Sequence, residues 1–125
     1  MYQFLSDEHE ARFKDLCNRD STHYSDSERR SLFFVIAGND SLYKNVDLIY
    51  DFEDHVIKLE VFEEPFLTGG TLSLLDLGFS LYGYGVCDVK QLFSPLDYKN
   101  SILAIEAIKS RFQILEHPDC KASAS

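Results

Sequence analysis

The stretch SERRSLFFVIAGND, residues 27–40, decides the fold. Leu32, Phe33, Phe34, Val35, Ile36 and Ala37 are apolar in an unbroken row, so a helix built from them has no polar side to turn to water. Such a helix is covered all round and sits at the centre of a domain. Ser25 and Glu28 have the spacing of a capping box, in which each side chain satisfies a free backbone N–H at the helix start. Gly38 and Asn39, which tolerate the left-handed conformation of a helix terminus, end it. Arg29 and Arg30 fall in the first turn, where the helix dipole disfavours cations. Carboxylates from the acidic half of the chain are therefore expected to hold them in an internal ion-pair network.

Upstream, Ser6 followed by Asp7 and Glu8 marks a helix start. His9, Phe13, Leu16 and Cys17 share one face of the helix that runs to about Arg19, which makes His9 a hydrogen-bonded structural histidine. Downstream, Asp40 caps a further helix through Tyr43, Val46 and Tyr50. Ile57, Leu59 and Val61 alternate with Lys58 and Glu60 as in a strand, with Glu53 to His55 as a hairpin turn. Thr71 to Tyr82 places Leu74, Leu75, Gly78, Leu81 and Tyr82 on one helical face, stopped by the GYG at 83–85. Ser94 and Pro95 signal the last helix, whose apolar face is Ile102, Ile105, Ile108, Phe112 and Leu115.

These segments predict a mainly α, compact four-to-five-helix single domain over residues 1–116, with a short β-hairpin around residues 47–62 and a flexible C-terminal tail at 117–125. The chain's 125 residues fit one domain of roughly 100–200 residues. At 45% hydrophobic, with ten Phe and seven Tyr, it carries enough apolar surface to build a core. No apolar run approaches the roughly 18 residues of a membrane span. The three cysteines and the absence of a basic segment leading into an apolar one near the N-terminus point to a reducing cytoplasm.

The acidity is concentrated. Residues 1–66 hold 15 acidic and 7 basic side chains, and residues 67–125 hold 6 and 5. Asp47, Asp51, Glu53, Asp54, Glu60, Glu63 and Glu64 face a single cation, Lys58, in their stretch. Affinity for nucleic acid comes largely from Lys and Arg displacing counterions, so this face is a poor nucleic-acid binder and no direct nucleic-acid partner is expected. A basic protein groove is the complementary partner, and those seven carboxylates are the candidate partner-binding residues.

Catalytic motifs are missing. There is no nucleophile elbow, the sequence around Cys87 has no thiol-enzyme signature, and TGGTLS at 68–73 lacks the Lys-Ser/Thr of a phosphate loop. A non-enzymatic protein is expected, with no catalytic residues. Zinc is the one cofactor worth considering, because four histidines and three cysteines coexist with many carboxylates. The candidate ligands are Asp51 with His55, at helical i, i+4 spacing, and Cys17 with His23. His117 with Cys120 is a further pair. None repeats as a paired Cys-x-x-Cys knuckle.

FLSDEHEARF, SERRSLFFVIAGNDSLY, IYDFEDHVIK, LLDLGFSLY and AIKSRF together resemble a family of short proteins of unknown function from low-GC Gram-positive bacteria and their prophages and plasmids. The resemblance spans Phe4 to Phe112. It implies a compact helical domain and a mobile-element setting, and carries over no catalytic residues. The expectation is a small acidic interaction protein, in its sharpest form an anti-CRISPR inhibitor that binds an RNA-guided nuclease and blocks target-DNA loading. The alternative is a small zinc-stabilised domain with a regulatory role.

Overall fold

The computed structural model describes residues 3–114; the expected tail at 117–125, Leu115, and the His117–Cys120 pair lie outside them. The protein is mainly helical, with seven α-helices, one 3-10 helix and a two-stranded antiparallel sheet among the described residues. Four of the helices are long: α1 (Asp7–Asp20), α2 (Ser27–Ala37), α5 (Gly69–Tyr82) and α7 (Tyr98–Phe112). Three are a turn or little more: α3 (Asp40–Lys44), α4 (Val46–Ile49) and α6 (Val89–Phe93). No helix among the described residues is long and apolar enough to cross a membrane.

Helix α2 is the centre. Every residue from Ser31 to Ala37 is buried, and α1, α5 and α7 all pack on it. Its cap is Asp26, whose carboxylate accepts from the Arg29 N–H, and not Ser25 as the capping-box spacing suggests. Ser25 instead contacts the His23 ring through its hydroxyl, and a carboxylate facing the helix dipole is the stronger cap. Gly38 closes α2 at φ −86, a right-handed conformation open to any residue. Its glycine is required by packing, since a Cβ there would overlap both methyl groups of Leu103. Asn39, whose side chain accepts from the Leu42 N–H, caps α3 in place of Asp40.

Helix α1 follows its sequence: Ser6 caps it through the His9 N–H, and His9, Phe13, Leu16, Cys17 and Asp20 face inward. His9 is structural as expected, with Nε2 donating to the Phe34 carbonyl at 2.9 Å and Nδ1 accepting from the Leu5 N–H. Burial lowers its pKa, against the Phe34 hydrogen bond.

The hairpin is shorter than the alternation predicts. Strand β1 (Tyr50–Asp51) pairs with β2 (Val56–Ile57) in the register Tyr50 to Ile57 and Asp51 to Val56. Leu59–Glu63 then leaves the sheet as a 3-10 helix, because burial here recurs every third residue and not every second. Gly83 stops α5 at φ +115, a left-handed position that favours glycine. Asp97, accepting from the Asn100 N–H, starts α7 later than Ser94–Pro95. Its buried face is Leu103, Ala104, Ala107 and Ser110, whereas Ile105 and Phe112 are exposed. The small alanines let α7 approach α2 closely, and the isoleucine spacing does not report that.

Candidate functional site

Two polar regions meet at the hairpin. The first is a network around Asp20, the last residue of α1, which is only 4% exposed. One carboxylate oxygen accepts from the Tyr50 hydroxyl at 2.8 Å and from His55 Nδ1 at 2.6 Å. The other accepts from the Thr22 hydroxyl. Arg29 donates to the Tyr50 hydroxyl, the Asp26 carboxylate and the His55 carbonyl, and stands 3.9 Å from Asp20. Burial by itself would raise the Asp20 carboxyl, but the hydrogen bonds from Thr22, His55 and Tyr50 prevail and hold it below the usual carboxylate range. The Tyr50 phenol is pushed well up, first by burial and then by donating to Asp20. His55 sits at φ +58, a left-handed conformation its carbonyl contact with Arg29 helps to maintain.

The network confirms the ion-pair expectation for Arg29, through Asp26 and Asp20. Arg30 lies over the Phe13 ring, its guanidinium 5.1 Å from the centroid. Sequence reasoning missed Asp20 and Tyr50, although both fall where a buried polar side chain demands a partner: Asp20 on the apolar stripe of α1, Tyr50 at the end of an apolar helix.

The second region is the acidic stretch. Asp47 pairs with Arg19 at 2.7 Å, and Lys58 reaches the Asp47 carbonyl. Asp51 accepts the backbone N–H groups of Asp54 and Glu53, which fold the hairpin turn and lower its pKa in that order. Glu53, Asp54, Glu60 and Glu63 are exposed and Glu64 partly so. None of these five makes an ion pair among the described residues.

The metal candidates separate. Asp51 and His55 do not share a helical face, because the segment is a hairpin with Asp51 spent on its turn. Cys17 is buried in the core and its thiol is pushed up to about 11, chiefly by burial, which disfavours the thiolate a metal needs. His23 and His55 do line one cleft of about 340 Å³, with Asp20, Asp26 and Arg29. No three His, Cys, Asp or Glu side chains among the described residues converge on a metal position.

A family of unknown function, DUF6075, matches residues 1–120. The chain belongs to the DUF6075 family. No curated protein and no solved structure matches it. What this DUF6075 chain offers chemically is therefore read from its own side chains. The Asp20 network fixes the hairpin to the helical body, and the hairpin and the 3-10 helix after it carry carboxylates that no cation among the described residues neutralises.

Proposed function

We propose that this DUF6075 protein is a non-enzymatic interaction protein whose acidic face, Asp47 to Glu64, docks on a positively charged groove of a partner protein. One observation carries the reading: Glu53, Asp54, Glu60, Glu63 and Glu64 stand on a rigid hairpin and 3-10 helix without an ion-pair partner among the described residues. Uncompensated charge of one sign steers association toward the opposite sign and disfavours other partners. The sharpest form is an inhibitor from a mobile element of a low-GC Gram-positive bacterium, acting in the cytoplasm on an RNA-guided nuclease. Such effectors keep their nucleic acids in positively charged channels, which an acidic protein can occupy before target DNA does. Capture of purified CRISPR effector nucleases by the tagged protein, with and without guide RNA and at low and high salt, tests this. Stoichiometric, salt-sensitive capture that blocks target-DNA binding supports it; no capture across the panel removes the nuclease as partner.

A second reading, a zinc-stabilised regulatory domain, is favoured by the Asp20–His55 pair. A carboxylate on Nδ1 is the arrangement that orients metal-binding histidines, and His23 shares the cleft. Elemental analysis of protein purified without chelators decides: less than about a tenth of an equivalent of zinc dismisses the reading.

A further inference from the structure

In a 3-10 helix, side chains three positions apart eclipse one another, so Leu59–Glu63 presents three separate rows. Val61 points the first into the core, at 1% exposure. Leu59 and Phe62 form the second, and they remain 44% and 37% exposed. Glu60 and Glu63 form the third, fully in solvent. The apolar row does not end with the helix. Phe62 stands edge-on to the buried Phe79 at 5.2 Å, and Tyr84, half exposed, stands edge-on to the same ring at 6.4 Å. Leu59, Phe62 and Tyr84 thus make an apolar shelf bordered by two glutamates that no cation among the described residues neutralises.

We infer that this shelf is the docking site for a basic amphipathic segment of the partner protein, apolar side chains against Leu59, Phe62 and Tyr84 and Lys or Arg against Glu60 and Glu63. The inference rests on the interaction reading above and sharpens it: the partner contributes a cationic segment with an apolar face, not charge alone. Charge complementarity selects this occupant. A polyanion is repelled by Glu60 and Glu63, and a second copy of this chain would bring like charges together, which is costly at close range. An oligocation lacking apolar side chains would leave the exposed aromatic edges in water, with their burial unrealised.

The test uses three synthetic probes on the full chain: a helical peptide of Leu and Lys in amphipathic spacing, its analogue with Glu for Lys, and an oligolysine of equal charge. Binding is measured by calorimetry for the natural protein and for Leu59→Ser, Tyr84→Ser and Glu60→Lys/Glu63→Lys, each first checked for an unchanged circular-dichroism spectrum and melting curve. Leu59 and Tyr84 are chosen because Phe62 also packs on Phe79 and its loss could disturb the fold. The expected result is binding of the Leu–Lys peptide alone, weakened about tenfold by either Ser variant and abolished by the double Lys variant. Oligolysine binding as tightly, with the Ser variants unaffected, overturns the shelf while leaving the acidic face as the interaction surface. Binding of neither cationic peptide overturns both. Concentration-dependent dimers in sedimentation, dissolved by Leu59→Ser, would make a second copy the occupant and also overturn the inference.

Discussion

The Asp20 carboxylate lies 2.6 Å from His55 Nδ1, across 35 positions of chain, and with the Tyr50 hydroxyl on the same oxygen it ties strand β1 and the turn of the hairpin to the end of α1. An ionised, buried carboxylate with three donors is worth more than any of its bonds singly. Replacing Asp20 by Ala leaves Tyr50 and Arg29 partly unpaired, with an expected loss of about 2–4 kcal/mol. Asp20→Asn, which keeps an acceptor, should lose less. Urea denaturation of the two variants checks the order; equal stability of Asp20→Ala and the natural protein would remove the network from the fold's energetics.

Three carboxyls and one imidazole shape the acid limb of stability. His9 has a folded pKa below its ordinary value, so its contribution is present above about pH 6.5 and declines as pH falls through the folded value. Asp20, Asp40 and Asp51 are also depressed, so theirs is present above about pH 4 and is lost as pH falls further. Melting temperature against pH should therefore decline in two stages. His9→Gln should flatten the upper stage and Asp20→Asn the lower; unchanged profiles in both variants would contradict the assignment.

Gly38→Ala should destabilise by about 1–3 kcal/mol through overlap with Leu103, since the right-handed φ at Gly38 imposes no backbone strain of its own. The same substitution in a Leu103→Ala background should cost less. Thermal denaturation of the four proteins of this cycle gives the coupling; additive effects would show that the two residues do not meet.

Reversing Glu53, Asp54, Glu60 and Glu63 to Lys breaks no ion pair among the described residues. The melting temperature is therefore expected to stay within the change that about 0.5 kcal/mol per site produces, while binding to a basic partner disappears. Unfolding of the variant would show instead that these carboxylates act within the fold.

Cys17 should resist alkylation in the folded protein, being buried with its thiol at about 11, and become reactive on unfolding. Mass spectrometry after a brief iodoacetamide pulse locates the label. Rapid labelling of Cys17 at neutral pH would contradict the packing of α1 on α2.

The long helices were legible because their signals are local. Ser6 with an acidic first turn announces α1, and the unbroken apolar row from Leu32 to Ala37 announces a central α2. The buried face of α7 was not legible: Ala104 and Ala107 are weakly hydrophobic, and what buries them is the space that Gly38 leaves for Leu103. The short helices α3, α4 and α6 have too few turns for a period to show. The acidic residues were all visible in the sequence, but which of them a cation neutralises was not, since Arg19 meets Asp47 across 28 positions. Asp20 was hidden for the same reason, its three partners coming from the segment after α1, strand β1 and the hairpin turn.

The 3-10 helix from Leu59 to Glu63 gives each of its rows a different surrounding: core, shelf and water. Its constraint is consequently one of phase. Many single substitutions within a row leave the other two undisturbed, but one inserted or deleted residue turns everything downstream by a third of a revolution, and an insertion ahead of Glu60 brings that residue to the place of Val61. In this segment the fold constrains length more tightly than composition.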